Sequence, residues 1–285
     1  MSKSKTLIIG GDAALGRYLC QQDNTLRYTS RRNTLGAITF DLAKPEHFDS
    51  LNHFIKSERI QNVVVLAGIT SIKLCEQQRE YSEFINVERT KLLLDMLHTA
   101  GCFSIFLSTN HVFSCNKAYT PWNEPPSPCS VYGRQKHQVE QFIQSHGLNT
   151  MVVRPSKILT KPFQLIDNMV NTLKQKQTFD AFDDHYFSPV SAPFFARHIN
   201  TILNKQTSGI VQISGAQDIC YYEFLKKVAG MLNLNANLIN PIKAATKGVL
   251  ATKFGTLQPY TPYQETTSSQ SIEDAINDYH YLGER

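Results

Sequence analysis

Two features of the 285-residue sequence predict an α/β fold: a doubly wound parallel sheet of the Rossmann type with a smaller C-terminal lobe. Short apolar, β-branched runs alternate with longer segments that carry apolar residues at helical spacing. The strand-like runs are apolar throughout, which is typical of a parallel sheet covered by helices on both faces. Such a sheet gathers the carboxyl ends of its strands at one edge, where a site is expected.

Seven segments have strand character, and five have clear helical periodicity. The strands are predicted at residues 6–9, 26–29, 37–40, 63–67, 104–108, 151–153 and 210–213. The helices are predicted at about 81–100, 130–147, 163–176, 192–203 and 222–234. Residues 235–270 show little regular pattern and are expected to be mostly loop.

Composition excludes several classes of protein. Apolar residues make up 41% and charged residues 19%, so the chain can bury a core and is not disordered. The net charge of +5 comes without a long basic run, so no nucleic-acid partner is predicted. No apolar stretch approaches the roughly 20 residues of a membrane span, and the N-terminal apolar run is too short for a signal peptide. Six scattered cysteines without a C-x-x-C pair indicate neither a disulfide framework nor a zinc site, and favour the cytoplasm.

The segment after the first strand has the form of a phosphate-binding turn. Gly10 and Gly16 stand at the turn position and the helix-packing position of the dinucleotide fingerprint, while Ala13 replaces the middle glycine. A helix that starts here would offer free N–H groups to a pyrophosphate. An ordinary tight turn between strand and helix is the alternative.

The end of the second strand bears on the choice of cofactor. Ser30, Arg31 and Arg32 stand where a site for NAD normally has an acidic residue, and an arginine there accommodates the 2′-phosphate of NADP. The sequence therefore favours NADP, with NAD as the alternative, unless both arginines are only solvated charges. Asp41, after the third strand, is expected either to meet the adenine or to cap the next helix.

A tyrosine and a lysine four residues apart suggest carbonyl chemistry. Tyr132 and Lys136 would share one face of a helix, where a cation favours the phenolate and lowers the tyrosine pKa. This pair suits proton donation to a ketone that receives a hydride. Tyr222 and Lys226 have the same spacing, but they follow the seventh strand and are interpreted as packing residues. Hydroxyls at the end of the fifth strand could bind the carbonyl.

The order of motifs resembles that of extended short-chain dehydrogenase/reductases, and most of all that of dTDP-4-dehydrorhamnose reductases. The motifs are Gly10 to Gly16, Leu66-Ala67-Gly68, Cys75-Glu76, Asn86-Val87, Ser108-Thr109, Tyr132-x-x-x-Lys136 and Arg154-Pro155. Asn110-His111 replaces the family's Asp-Tyr, so the substrate could differ from the rhamnose precursor. The same pair lacks the acids of the related 4,6-dehydratases.

This resemblance implies a set of site residues. The catalytic residues would be Thr109, Tyr132 and Lys136. The cofactor would contact Gly10, Asp12, Ala13, Ala14, Leu15, Gly16, Ser30, Arg31, Arg32, Asp41, Leu42, Leu66, Ala67, Gly68, Tyr132 and Lys136. The substrate would contact Thr70, Ser108, Thr109, Asn110, His111 and Tyr132. No metal site is expected.

The implied function is NADP-dependent reduction of a 4-keto (deoxy)sugar nucleotide, with a homodimer as a possible assembly. Residues 1–155 would form the NAD(P)-binding domain, and 156–285 mainly a substrate-binding lobe, with about 190–215 returning to the first domain. Two alternatives stay open: an NAD-dependent sugar-nucleotide epimerase, and a non-catalytic NADP-binding regulatory subunit.

Overall fold

The computed structural model describes residues 5–262 and 270–281. The strands are β1 (Thr6–Ile9), β2 (Arg27–Ser30), β3 (Ile38–Thr39), β4 (Asn62–Val65), β5 (Phe103–Leu107), β6 (Thr150–Pro155), β7 (Lys157–Leu159), β8 (Phe179–Phe182), β9 (Tyr186–Phe187), β10 (Pro189–Ser191), β11 (Gly209–Ile213), β12 (Ile219–Cys220) and β13 (Ile239–Ile242). The α-helices are α1 (Ala14–Gln22), α2 (Glu46–Glu58), α3 (Ile72–Gln77), α4 (Arg79–Glu83), α5 (Thr90–Thr99), α6 (Val131–Ser145), α7 (Gln164–Lys174), α8 (Ala192–Lys205), α9 (Tyr221–Met231) and α10 (Ile272–Tyr281).

The central sheet has seven strands in the order β11-β6-β5-β4-β1-β2-β3, and all its pairings are parallel. Each of the seven predicted strands overlaps one of these, so the predicted fold class is confirmed. The chain runs outward from β1 through β2 to β3, then returns to β4 on the other side of β1. The direction of winding therefore reverses between β1 and β4, and ligands of doubly wound sheets bind in the crevice at such a point.

Both faces of the sheet are buried, as the unbroken apolar runs require. Along β4, Val63 and Val65 belong to one core cluster, whereas Val64 belongs to the cluster on the opposite face. Successive side chains of a strand point to opposite faces, so each must be apolar when helices cover both.

A further core cluster lies beyond the sheet and draws its members from residues 159–279, chiefly from α7, α9 and α10. Helix α8 instead packs on the central sheet through Phe195 and Ile199. Strand β11, which follows α8, is an edge strand of that sheet. The domain bounds at 155 and 190–215 stay a prediction. None of the helices in the ranges 5–262 and 270–281 is both long and apolar enough to cross a membrane.

Two predicted segments differ from the structure. The helix predicted at 81–100 is divided into α4, a π-helical turn (Phe84–Arg89) that carries Asn86, and α5. The prediction of loop over 235–270 was wrong at β13, which pairs with β8. Its sequence, Ile-Asn-Pro-Ile, carries no alternation long enough to indicate a strand. Residues 263–269 of that range lie outside the described residues.

Candidate active site

A cleft opens where β1 and β4 end, at the reversal of the sheet. Gly10 has a φ of +92°, and a Cβ there would lie 2.8 Å from the Ala67 nitrogen. A Cβ on Gly16 would lie 2.6 Å from the Gly10 oxygen, so helix α1 packs directly on the turn. At both positions a side chain would therefore clash with the backbone, so only glycine fits. The turn and helix roles predicted for them are the ones they have.

The N-terminus of α1 is free to receive an anion. Ala13 is the N-cap residue and makes no side-chain capping hydrogen bond. The first N–H groups of a helix lack partners within the helix, and the helix dipole favours negative charge at this end. A pyrophosphate placed here would accept hydrogen bonds from these N–H groups and would bring the negative charge that the dipole favours.

The cleft holds about 820 Å³ of empty space, part of which is open to solvent. Of the predicted cofactor residues, nine line it: Gly10, Asp12, Ala13, Arg31, Asp41, Leu42, Leu66, Ala67 and Gly68. It is also lined by residues that sequence analysis did not name: Thr29, Phe40, Ile69, Leu74, Tyr81 and Ile85. A glycine cradle, an uncapped helix end and an arginine fit the phosphates of NADP.

Seven predicted cofactor residues do not line this cleft: Ala14, Leu15, Gly16, Ser30, Arg32, Tyr132 and Lys136. Leu15 packs against the core and Gly16 against the turn. The Ser30 hydroxyl donates to Asp12 at 3.2 Å, which holds the turn to the end of β2. Arg32 is exposed at the surface beyond the cleft.

Asp41 lines the cleft but does not cap the following helix, which was one of its two predicted roles. Its Oδ1 accepts the Ala43 N–H at 2.9 Å, closing a turn ahead of α2, whose N-cap residue is Pro45. Three residues lie between Asp41 and Pro45, so the carboxylate serves the turn instead.

A second group of side chains lies at the end of β5. Helix α6 begins at Val131, where the Ser130 hydroxyl accepts the Gly133 N–H at 3.1 Å and Glu76 accepts the Val131 N–H at 2.8 Å. This capped first turn carries Tyr132, and the next turn carries Lys136. The predicted sharing of one helix face is confirmed, since the Lys136 ammonium lies 5.9 Å from the centre of the Tyr132 ring.

The phenol ring is packed while its hydroxyl faces the end of β5. Tyr132 is 8% exposed and packs with Cys75, Val131 and Ile69. The Thr109 side chain lies near this hydroxyl and lowers the pKa of Tyr132. Ile69 also lines the cleft, so the two groups of residues meet at this side chain.

Burial sets the pKa values of this pair, which corrects one expectation. The pKa of Tyr132 is raised, mainly by burial, although the hydrogen bond with Thr109 lowers it. Lys136, whose ammonium donates to the Leu107 oxygen at 2.8 Å, is not among the groups that lower the Tyr132 pKa. Burial lowers the pKa of Lys136 to about 8. In this state the lysine therefore does not bring the tyrosine pKa below its ordinary value.

The predicted substrate residues lie in different environments. Ser108 is buried and donates to Glu140 of α6, so its hydroxyl serves a buried network instead of facing a substrate. The Asn110 amide donates to the Gly255 oxygen at 3.3 Å, which joins this loop to the C-terminal part of the chain. His111 is half-buried with its ring 6.5 Å from that of Tyr132, and Thr70 is exposed on the loop after β4.

Sequence analysis missed a buried hydrogen-bond network behind Tyr132. Asn86 accepts the Ile69 N–H at 2.7 Å and donates to Gln135 at 2.8 Å, and Gln135 donates to Ser82 at 2.7 Å. This network joins the loop after β4, the π-helical turn and helix α6. A π-helical turn frequently marks a functional region, but no periodicity in the sequence reveals one.

Gly133 allows the loop after β5 to approach α6. A Cβ on this residue would lie 2.1 Å from the His111 oxygen, far inside contact distance. The absence of a side chain here therefore fixes the separation of Thr109 and Tyr132.

Comparison with known proteins agrees with this geometry. Residues 4–254 match the model of the RmlD substrate binding domain. The chain belongs to this family. The match confirms the resemblance to dTDP-4-dehydrorhamnose reductases that the motifs predicted.

Three relatives illustrate the range of the similarity. The crystal structure of dTDP-4-dehydrorhamnose reductase from Bacillus anthracis in complex with NADP matches with a TM-score of 0.87 at 18% identity, covering 100% of this chain and 99% of the other. The spore coat polysaccharide biosynthesis protein SpsK of Bacillus subtilis is 22% identical over 95% of this chain and 92% of its own length. The mouse methionine adenosyltransferase 2 subunit beta is 24% identical over 84% of this chain and 75% of its own.

Proposed function

We propose that this RmlD-family protein is an NADP-dependent reductase of a keto group on a nucleotide-linked deoxysugar. One observation supports this most: the Thr109–Tyr132 pair and the Lys136 ammonium adjoin a cleft that fits a dinucleotide. The similarity to dTDP-4-dehydrorhamnose reductase in complex with NADP supports the same activity.

Each residue has a distinct part in this proposal. Bound NADPH would supply a hydride to the carbonyl carbon. The hydroxyls of Thr109 and Tyr132 would hydrogen-bond the carbonyl oxygen, and Tyr132 would release its proton to the alkoxide as it forms. Lys136 would hold the nicotinamide ribose with a charge that its bond to Leu107 orients.

The raised pKa of Tyr132 suits reduction. A phenol with a raised pKa keeps its proton at neutral pH, and an alkoxide is a far stronger base than a phenolate. The proton therefore stays on Tyr132 until the hydride arrives. Oxidation of an alcohol would need the phenolate, which burial disfavours.

Arg31→Ala should weaken NADPH binding about 10-fold more than NADH binding, because Arg31 lines the cleft and would bond the 2′-phosphate. Arg32→Ala is the matched control, since Arg32 lies outside the cleft, and we expect little change in either affinity. Fluorescence titration of both nucleotides measures the effect. Equal losses for NADPH and NADH in Arg31→Ala would contradict the choice of NADP.

Gly133→Ala should reduce turnover by about 10-fold or more, because the added methyl pushes the 109–111 loop away from Tyr132 and a 1 Å misplacement can cost on the order of 10²-fold. Overpacking should also cost about 1–3 kcal/mol of stability. Gly230→Ala on α9 is the control: its Cβ meets nothing within 4 Å, and alanine there should stabilise the helix by up to about 1 kcal/mol. Steady-state kinetics and urea unfolding of both variants test this, and full activity in Gly133→Ala would contradict the proposed site.

A second candidate function is that of an NADP-binding regulatory subunit without turnover of its own. The similarity to a protein described as a subunit of methionine adenosyltransferase 2 favours it. The presence of Thr109, Tyr132 and Lys136 favours the reductase.

One experiment distinguishes these functions. The purified protein is incubated with NADPH and a panel of 4-keto-6-deoxysugar nucleotides. Oxidation of NADPH supports the reductase, whereas interconversion of C4 epimers with NAD that co-purifies supports an epimerase. Absence of both activities, together with stoichiometric association with another enzyme of the native cell, supports the regulatory subunit.

A further inference from the structure

Gln135 lies next to Lys136 on α6, and its side chain is almost inaccessible to solvent. Its amide makes two short hydrogen bonds to other parts of the chain. The Oε1 atom accepts a hydrogen bond from Asn86 at 2.8 Å, and Nε2 donates one to the Ser82 hydroxyl at 2.7 Å. Asn86 lies in the π-helical turn and Ser82 in α4, and both are buried. This one side chain therefore joins α6 to the two segments that precede α5.

The bond to Asn86 continues to the wall of the cofactor cleft. Asn86 accepts the Ile69 N–H at 2.7 Å and donates to the Ile69 oxygen at 2.9 Å, so it holds both polar groups of this residue. Gly68 makes room for this approach, because a Cβ there would lie 3.1 Å from the Asn86 oxygen. Gly68 and Ile69 line the cleft, and Ile69 also packs with Tyr132. Gln135 is therefore linked through Asn86 to the loop that the cofactor would contact.

Separate contacts hold α6 to the central sheet. The Lys136 ammonium donates to the Leu107 oxygen at 2.8 Å, and the Glu140 carboxylate pairs with Arg154 of β6 at 2.6 Å. Neither Leu107 nor Arg154 lines the cleft. These contacts therefore set the helix on the sheet, whereas the separation between the cleft wall and the turn that carries Lys136 depends on the Gln135 amide.

This separation matters for the proposed reaction, because hydride and proton come from different parts of the protein. The cleft would hold the nicotinamide, and α6 holds the proton donor. A reactive arrangement requires the reacting atoms to lie about 3–3.5 Å apart, and a misplacement of about 1 Å can cost on the order of 10²-fold in rate. A buried amide resists such a shift, since a bond broken here would leave polar groups without partners and away from water.

We infer that Gln135 is a positioning residue, which fixes the separation between the bound nicotinamide and the Tyr132–Lys136 pair. It does not line the cleft, and it acts through Asn86 and Ile69. The inference rests on the proposed function and adds to it a residue outside the predicted site.

Gln135→Met in the full-length protein tests this role, because methionine has a similar length and shape but makes neither hydrogen bond. We expect the rate of hydride transfer in a single turnover to fall about 10–100-fold, as measured by stopped-flow absorbance with saturating NADPH and 4-keto-6-deoxysugar nucleotide. The dissociation constant of NADPH should be nearly unchanged, because Gly10 and Arg31 are untouched. Amide hydrogen exchange over residues 66–70, followed by mass spectrometry, should become faster, because Ile69 loses its support.

Gln270→Met is the matched control. Gln270 is also buried, and its amide donates to the Ser191 hydroxyl at 3.0 Å and to Asp278 at 2.7 Å, between β10 and α10. Neither partner lines the cleft. This variant should lower the urea midpoint of unfolding as Gln135→Met does, while hydride transfer and exchange over residues 66–70 stay as in the wild type.

Ser82→Ala is a milder second variant, for use if Gln135→Met does not fold. It removes only the acceptor of the Gln135 Nε2 atom and leaves the bond to Asn86 in place. Hydride transfer should slow by about 2–10-fold, the equivalent of one neutral hydrogen bond. An unchanged rate in this variant would contradict the inference.

The other outcomes are as clear. A fall in rate no larger in Gln135→Met than in Gln270→Met would overturn the inference, since Gln135 would then serve the fold alone. So would a fall matched by weaker NADPH binding, because the variant would then act on affinity. A wild-type protein that oxidises no NADPH would contradict the proposed function instead. In that case, unchanged exchange over residues 66–70 in Gln135→Met would still overturn the link between α6 and the cleft wall, and faster exchange would support it.

Discussion

Replacing Tyr132 with Phe should lower kcat/KM for the keto substrate by about 10²–10⁴-fold, the usual contribution of a positioned acid or base. Phe keeps the ring that packs with Cys75, Val131 and Ile69, so the fold should be maintained. It removes only the hydroxyl that faces Thr109 and carries the proton. NADPH affinity should be nearly unchanged, because the cleft residues around Gly10 and Arg31 are untouched. Steady-state kinetics and a separate NADPH titration measure the two effects.

The chain supplies a matched control for this experiment. Tyr222 and Lys226 repeat the spacing of Tyr132 and Lys136, with the ammonium 5.0 Å from the ring centre. They lie on α9, whose buried residues belong to the core cluster of residues 159–279. Tyr222→Phe should leave kcat/KM within about 2-fold, because Tyr222 packs against the core cluster of residues 159–279, remote from the site. If Tyr132→Phe were equally mild, the proton would come from another group and the proposed mechanism would be wrong.

This pair of tyrosines also shows what spacing alone can predict. A tyrosine and a lysine four residues apart share a helix face wherever the helix occurs, and both pairs do so here. Only the position after the fifth strand of a parallel sheet distinguished them, because the carboxyl edge of such a sheet is where ligands bind. The sheet itself was predictable, since strands buried on both faces must be apolar at each position.

The hydrogen-bond partners of the site residues were less predictable, because these partners are distant in sequence. Ser108 and Thr109 are adjacent hydroxyls at one strand end, and nothing local indicates that Ser108 turns to Glu140 while Thr109 faces Tyr132. The same holds for Asn86, whose bonds to Ile69 and Gln135 depend on a π-helical turn. The tyrosine pKa was predicted in the wrong direction because burial, a tertiary property, raises it.

The second large effect expected is on stability. Replacing Glu140 with Gln should lower the free energy of unfolding by about 3–5 kcal/mol, the usual cost of removing one member of a buried ion pair. Glu140 and Arg154 are almost inaccessible to solvent, and Glu140 accepts from Nη2 at 2.6 Å and from Nε at 3.0 Å. Glutamine has nearly the same size, but it would leave the guanidinium of β6 without a buried counter-charge. Urea unfolding followed by circular dichroism measures the loss.

Glu124→Gln is the matched control, because Glu124 pairs with Lys117 at a similar distance of 2.9 Å but in solvent. An exposed pair contributes about 0–1 kcal/mol, so the same substitution should cost little. Similar losses in the two variants would show that burial does not strengthen the Glu140 pair.

The pH dependence provides an independent check of the same pair. Burial alone would raise the pKa of Glu140, but hydrogen bonds and the charge of Arg154 hold it below its usual range. A lowered pKa in the folded state stabilises the protein fully above the ordinary value of about 4.3, and this contribution is lost as the pH falls through the folded-state value. The difference in unfolding free energy between the wild type and Glu140→Gln should therefore shrink on acidification below about pH 4. A difference that stays constant down to acid pH would mean that the charge of Glu140 is not what joins α6 to β6.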